Sequence, residues 1–195
     1  MPARLRSLIA TLAVLALAGC GAQPAEPAPS APVTMHVDGP VYDSLDQLDR
    51  DADVIASLEI ISSKQDELLP EYSGDDPSTN PAAGAPAAPS SEDIRDGAVP
   101  ITVHTVRVVD VLRGAGDGEE LTLIELGGPK ATVQDRPKLT DALGPDTVAF
   151  LTRLPDGRYE VLGRGQGLLQ RRDYQYVSLT EPRISVDEQR VTSLR

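Results

Sequence analysis

Few side chains of this 195-residue sequence are suited to catalysis or to binding a transition metal. The chain contains one Cys, Cys20, and two His, His36 and His104. A single Cys excludes an intrachain disulfide and any multi-thiolate zinc or iron–sulfur site. Two His residues leave little material for imidazole-based acid–base or metal chemistry. The composition therefore predicts no cofactor and no metal site.

Cys20 follows a leader that is first charged and then apolar. Arg4 and Arg6 precede an 11-residue run rich in Leu and Ala, residues 8–18. Eleven helical residues span roughly 16 Å, whereas the hydrocarbon core of a bilayer is about 30 Å thick. The run is too short for a permanent transmembrane helix and is typical of the apolar part of an export signal.

The end of this leader resembles the lipobox of bacterial lipoproteins, through Leu17, Ala18, Gly19 and Cys20. The resemblance implies that the Cys20 thiol receives a diacylglyceryl group, with palmitate among the acyl chains, before cleavage between Gly19 and Cys20. Two acyl chains anchor a protein more firmly than one. We therefore expect a signal peptide over 1–19 and a lipid-anchored protein on the extracytoplasmic side of the cell membrane. The alternative is an ordinary signal peptide followed by a Cys without a role.

The charge of the chain bears on its partners. Thirty acidic residues against 18 basic ones give a formal net charge of −12. Such a chain has too few cations to neutralise the phosphates of a nucleic acid, and an anionic bilayer surface repels it. The composition excludes a nucleic-acid partner and predicts a domain that stands off the membrane on its tether.

Two stretches rich in Pro flank the first predicted elements. Residues 20–40 contain the predicted lipid site and a segment of Pro, Ala, Ser and Gly, and residues 70–100 contain six Pro among similar residues. Such compositions bury too little apolar surface to offset chain entropy. We predict a disordered tether over 20–40 and a disordered insertion over 70–100 inside one domain, 41–195. The alternative for the insertion is a segment that becomes ordered on a partner.

The remaining residues predict an all-β domain. β-branched residues fill 101–112, and the adjacent Val108 and Val109 break the alternation as a bulge would. A turn signal over 155–157 joins two apolar runs as in a hairpin. About six short strands, 3% aromatic residues and no alternation of strands with helices favour a small OB-like barrel or sandwich with one or two short helices. The expected core is aliphatic and includes Phe150.

Two local patterns predict short helices. Leu45 and Leu48 lie on one face of a helix over 44–50 that begins at a local Asp or Ser cap. Ser185 and Glu188 have the spacing of a capping box before a weak helix near the C-terminus.

Motifs spread over about 52–170 carry a second resemblance. Ala-Asp-Val (52–54) starts one strand, Val-Asp-Val-Leu-Arg-Gly (109–114) ends a long one, and Leu-Gly-Pro (143–145) precedes a hairpin that ends in a Gly-rich corner. This order is similar to that of OB-like barrels related to the netrin module and the tissue inhibitors of metalloproteinases, which also occur in uncharacterised bacterial exported proteins. In the animal inhibitors, a disulfide-held N-terminal Cys chelates the protease zinc. The sole Cys here is the predicted lipid site, so the resemblance implies the fold and not the inhibition.

Three further clusters have structural and chemical interpretations. His104 lies on the same alternation as Thr102 and Val106 of the long strand, which favours a half-exposed strand residue over a general base. Residues 163–167 (Gly-Arg-Gly-Gln-Gly) lack the spacing of a nucleotide-binding loop and favour a tight bend. The acidic run Asp49, Asp51 and Asp53 resembles the start of an EF-hand loop, but Val54 stands where that loop requires Gly.

One basic and aromatic cluster is a candidate contact patch, since Arg and Tyr are favoured at interface hot spots. It consists of Arg171, Arg172, Tyr174 and Tyr176. The alternative is a hairpin with solvated arginines and half-buried tyrosines.

The sequence thus predicts a non-enzymatic, lipid-anchored domain that presents a β-barrel for binding, with an envelope protein as one partner class. The alternative is an envelope hydrolase or carbohydrate-processing enzyme whose site is dispersed along the chain. A cluster of His104 with two carboxylates in a concave pocket would favour that enzyme, and scattered exposed acids would favour binding. Inhibition of envelope proteases is a third hypothesis that rests on fold analogy alone.

Overall fold

The computed structural model describes residues 33–70, 72, 80, 82–85 and 88–194. The predicted signal peptide, Gly19, Cys20 and most of the predicted tether lie outside these residues. The described residues form ten strands, four short helices and one 3₁₀ turn over Leu162–Gly165. The strands are β1 (Val33–Met35), β2 (Val54–Leu68), β3 (Val99–Arg113), β4 (Glu120–Leu126), β5 (Ala131–Val133), β6 (Thr147–Arg153), β7 (Tyr159–Val161), β8 (Leu168–Arg172), β9 (Gln175–Ser178) and β10 (Ser185–Asp187); the helices are α1 (Leu45–Asp51), α2 (Ser91–Asp96), α3 (Leu139–Ala142) and α4 (Glu188–Thr192).

Five strands close on one another in a partly closed ring. The order is β2, β3, β4, β7, β6 and back to β2, and every pairing is antiparallel except the parallel pair β4–β7. Strands β8, β9 and β10 continue the sheet beyond β6, and β1 pairs separately with β5. The all-β class and the small barrel-like architecture are confirmed. The described strands outnumber the expected six because four of them are only three residues long.

The core divides between the inside of the ring and one outer face. Residues on alternate positions of β2, among them Val54, Ala56 and Leu58, pack inside the ring with side chains from the other ring strands. The intervening Ile55 packs against α1 on the outer face, in a cluster that also holds the fully buried Phe150. Because both faces of this part of β2 are covered, the strand is buried continuously, as a strand between two apolar layers must be.

Local signals in the sequence account for several of these elements. Helix α1 buries Leu45 and Leu48 as expected. Leu58 pairs with Val108, and the preceding Ser57 pairs with Asp110, so the predicted bulge is present with Val109 as the extra residue. The predicted turn over 155–157 joins β6 to β7.

Two described segments add ordered structure to stretches that the sequence places in the tether and the insertion. Strand β1 falls within 20–40, and its parallel pairing with β5 attaches it to the domain. Helix α2 falls within 70–100; Ser90 caps its first turn by accepting from the Asp93 N–H, and the Asp93 carboxylate accepts from the Ser90 N–H. A Ser-x-x-Asp spacing was therefore the signal for α2.

Candidate functional site

One end of the ring opens into a cavity of about 410 Å³, here called the mouth cavity. Its wall is formed by inward-facing side chains of β2, β3 and β4, and its rim by the β4–β5 turn and the segment that leads into α3. The mouth of a β-barrel is a frequent place for a ligand site. The polar and charged residues that line it are Ser63, Gln65, Thr102, His104, Glu125, Thr132, Arg136, Lys138 and Thr140.

A second bulge in β2 sets the residues that face this cavity. Ile60 pairs with Val106, but Ser62 pairs with Thr105, so Ile61 is an extra residue in the ladder. A one-residue shift exchanges the two faces of a strand. Beyond Ile61, the inward positions of β2 are therefore Ser63 and Gln65.

Three side chains from three strands form a hydrogen-bonded chain in the cavity wall. Ser63 and His104 are direct cross-strand neighbours, and the Ser63 Oγ lies 2.8 Å from the His104 Nδ1. On the other side of the imidazole, the His104 Nε2 lies 3.0 Å from Oε2 of Glu125 on the neighbouring strand β4. The His104 side chain is completely buried, and that of Glu125 is 13% exposed.

With Glu125 ionised and His104 neutral, the hydrogen-bond partners assign the donors and acceptors among these three side chains. The backbone N–H of Leu139, at the start of α3, donates to Oε1 of Glu125 at 3.0 Å. An ionised carboxylate only accepts, so Oε2 receives its hydrogen bond from the Nε2–H of His104. With a neutral imidazole, Nδ1 is then an acceptor and the Ser63 hydroxyl donates to it.

A second network braces the rim of the mouth cavity. Nε2 of Gln65 donates to Oγ1 of Thr102 at 3.1 Å, and that hydroxyl donates to the Gly127 carbonyl at 3.1 Å. Gly127 has a φ of +99°, and a Cβ at Gly128 would collide with the Gln65 side-chain carbonyl oxygen. Because Gly127 and Gly128 have no side chain, the rim can lie close to Gln65 and Thr102.

Two cations complete the lining. Arg136 is half-buried and Lys138 is exposed. Burial lowers the pKa of the Arg136 guanidinium, and the nearby carboxylates of Glu160 and Glu125 oppose that shift. The Nε atom of Arg136 is buried without a hydrogen-bond partner. Arg136 also borders a neighbouring cavity that contains Glu160.

The position of His104 corrects one expectation. The strand and the alternation with Thr102 and Val106 are as predicted, but the predicted half-exposure is wrong, because the side chains of the neighbouring strands enclose the imidazole of His104 completely. Sequence reasoning missed Ser63, Gln65, Glu125 and Arg136 as its companions. The available signal was the change from apolar to polar residues along β2 after Ile61.

The predicted contact patch lies elsewhere, on the β8–β9 hairpin. Arg171 pairs with Tyr176 across the strands and contacts Glu188 at 3.2 Å. Tyr174 is 84% exposed, whereas Tyr176 is half-buried against the outer core cluster, and this burial raises the pKa of its hydroxyl. Arg172 is exposed. The patch as an interface stays a prediction.

The other two clusters serve local structure. In 163–167, Gly163 and Gly165 adopt positive φ values of 62° and 99° in the 3₁₀ turn. The carboxylates of Asp49 and Asp53 bond separately, to Arg113 and to the backbone N–H of Arg153. Over 33–70 and 88–194, together with the few described positions between them, no group of three or more His, Cys, Asp or Glu side chains is placed to hold a metal ion.

Comparison of the chain with protein-family models, with curated proteins and with solved structures found no match. The interpretation of the mouth cavity therefore rests on its own geometry.

Proposed function

We propose that this protein is a lipid-anchored extracytoplasmic protein whose barrel binds a small polar ligand in the mouth cavity. The observation that carries the binding proposal is the concentration of hydrogen-bonded polar side chains at one end of a ring that is otherwise aliphatic. A concave site with apolar walls and a few convergent polar groups is typical of a ligand site. We propose no enzymatic activity for the primary function.

The anchor part of the proposal concerns Cys20 and the cleavage after Gly19. Among the residues that the structure describes, no helix is long and apolar enough to cross a bilayer. The proposal assigns membrane attachment to the acyl chains on Cys20 because of the resemblance of residues 17–20 to a lipobox. Mass spectrometry of the protein from its native membrane should find an N-terminal diacylglyceryl Cys20. Because lipidation precedes cleavage, Cys20→Ser should accumulate as the precursor that still carries residues 1–19, and an unmodified thiol in the wild-type protein would contradict the anchor.

The binding part is tested by filling the cavity. We expect mixtures of small polar metabolites to shift the backbone NMR signals of the rim, residues 126–133, in the mature protein. Thr132 lines the cavity, so Thr132→Trp should abolish these shifts. Thr122→Trp is the matched control, because Thr122 is exposed on β4 and does not line the cavity. Equal binding by both variants would place the ligand elsewhere and refute the proposal.

A second candidate function is a hydrolase with Ser63 as the nucleophile. The observation that favours it is the chain of hydroxyl, imidazole and carboxylate, which matches the logic of nucleophile, base and orienting group. The cluster contains one carboxylate rather than the two that would favour an enzyme on sequence grounds. In addition, the amides of Gly127 and Gly128 already donate to the carbonyls of Pro100 and Ala131, both at 2.7 Å, so these rim amides cannot form an oxyanion hole.

A fluorophosphonate probe separates the two functions. A hydrolase predicts covalent labelling of the wild-type protein that is lost in Ser63→Ala. Ser62→Ala is the control, because Ser62 is exposed on the same strand and does not line the cavity. The binding proposal predicts no labelling of either variant or of the wild type.

A further inference from the structure

We propose that the ligand of the mouth cavity is a small organic anion, a carboxylate or a phosphate ester with an apolar tail, and that Arg136 is its main electrostatic partner. This inference rests on the proposed binding function and narrows it to one ligand class.

The first observation is the contrast between Arg136 and the other half-buried arginines. In the part of the chain that the structure describes, Arg113, Arg136 and Arg158 are half-buried. Arg113 lies 2.7 Å from a carboxylate oxygen of Asp49, and Arg158 lies 2.6 Å from Asp156. Arg136 has no carboxylate oxygen within 4.0 Å among the described residues, so its guanidinium is partly desolvated without an ionic partner.

Neither of the nearby carboxylates, those of Glu125 and Glu160, lies within ion-pair distance of Arg136, and both act on its guanidinium only at longer range. Both oxygens of Glu125 already accept hydrogen bonds, from Leu139 and from His104. Glu160 borders the neighbouring cavity rather than the mouth cavity. A partly buried cation without an ionic partner is costly, and a buried unpaired donor such as the Arg136 Nε needs an explanation. An anion bound in the cavity gives the guanidinium an ionic partner and the Nε–H an acceptor.

The second observation is the charge and polarity of the other residues that line the cavity. Lys138 also lines the cavity, and no ion pair of Lys138 with a described residue is present. The chain has a net charge of −12, yet this small cavity is lined by two cations, Arg136 and Lys138, that form no ion pair with a described residue. Such a lining favours an anionic ligand. Much of the rim is apolar, which favours an organic anion over a bare inorganic one. These apolar lining residues are Leu126, Pro129, Ala131 and Val133.

The test uses the mature protein and four probes, namely hexanoate, its neutral counterpart hexanamide, acetate and inorganic phosphate. Isothermal titration should show hexanoate binding at least tenfold more tightly than hexanamide, with acetate and phosphate weaker than hexanoate. Arg136→Gln should weaken hexanoate binding about 10- to 100-fold, the range of one or two charge-assisted hydrogen bonds. Arg107→Gln is the matched control, because Arg107 is exposed on β3 and does not line the cavity.

Each alternative outcome is informative. Equal affinity for hexanoate and hexanamide, or unchanged hexanoate binding in Arg136→Gln, would overturn the anion inference. Failure of all four probes, while neutral metabolites still shift the rim signals and Thr132→Trp abolishes those shifts, would overturn it too and leave the binding function standing. Rim signals that respond to no ligand would refute the binding function itself. If Arg136→Gln does not fold, Arg136→Lys keeps the charge and should retain the preference for hexanoate.

Discussion

The two halves of the β2–β3 pair face the inside of the same ring but carry opposite chemistry. In the first half, Leu58 and Val106 are fully buried among aliphatic side chains. In the second half, the inward positions hold Ser63, which is hydrogen-bonded to His104, and Gln65, which is hydrogen-bonded to Thr102. One continuous strand pair therefore supplies stability at one end and a polar site at the other.

The difference teaches that a polar cavity can be built into an apolar ring by a small change of register. The bulge at Ile61 turns the polar residues of β2 inward, where the facing strand offers His104 as a partner. Buried polar side chains are tolerated only when they are hydrogen-bonded, and here the buried His104 and Thr102 each bond to an exposed residue of β2, Ser63 and Gln65 respectively. Substitutions in the two halves should accordingly have effects of different kinds.

The largest stability effect should come from the apolar half. Leu58→Ala leaves a cavity in the ring interior, and we expect a loss of about 2–5 kcal/mol in the free energy of unfolding, measured by chemical denaturation. Ile61→Ala is the control, since Ile61 is 42% exposed, and its effect should stay within about 0.5 kcal/mol. A comparable loss of unfolding free energy in both variants would contradict the distinction between the buried core and the exposed bulge.

A substitution in the polar half should lower the free energy of unfolding less, but it should break the hydrogen-bonded chain of Ser63, His104 and Glu125. His104→Ala removes the hydrogen-bond partner of both Ser63 and Glu125, so we expect a loss of about 1–3 kcal/mol. Chemical denaturation of His104→Ala, Glu125→Gln and the double variant forms a cycle, and the two effects should be non-additive because the residues share one bond. Additive losses would show that His104 acts only by filling space.

Two glycines extend the comparison to the backbone. Gly114 has a φ of +79°, and a Cβ there would collide with the Asp53 carbonyl oxygen, so Gly114→Ala should cost more than about 1 kcal/mol. Gly128→Ala meets only the end of the Gln65 side chain, which can move. We expect a smaller loss of stability, with NMR shifts concentrated at Thr102 and along the rim. A larger loss in Gly128→Ala would mean that the rim is as rigid as the core.

The smallest effect should come from an exposed ion pair outside both halves. Hydrogen bonds from Arg183 lower the pKa of the Glu181 carboxyl from 4.5 to about 2. A lowered pKa stabilises the fold above the ordinary value, and this stabilisation is lost as the pH falls from about 4.5 through about 2. In Arg183→Gln, an NMR titration of the Glu181 carboxyl should return its pKa towards 4.5, with little change of stability at neutral pH.

Local patterns in the sequence were enough to predict the class of fold. The apolar spacing of Leu45 and Leu48 predicted α1, the Val108-Val109 pair predicted a bulge, and the 155–157 signal predicted the β6–β7 hairpin. Each of these patterns involves only residues of one element or of two elements that follow each other in the chain. The C-terminal helix was also expected, although its cap is Asp187 rather than Ser185, because Ser185 belongs to β10.

The mouth cavity could not be predicted because its contacts are long-range. Ser63 and His104 are 41 residues apart in the chain, and Glu125 follows His104 by a further 21. Their meeting depends on the register of three strands and on the extra residue at Ile61, which has no distinctive composition. The unpartnered Arg136 is likewise visible only once the positions of the surrounding carboxylates are known.

Strand β1 gives the domain a mechanical weak point beside its site. It is held by three residue pairs with β5, and all three β5 residues line the mouth cavity. If the chain is fixed to a bilayer at Cys20, any tension on it enters the domain at Val33 and loads this short ladder before any ring strand. Such tension would separate β1 from β5 and make the cavity rim less rigid, while the strands of the aliphatic ring stay paired.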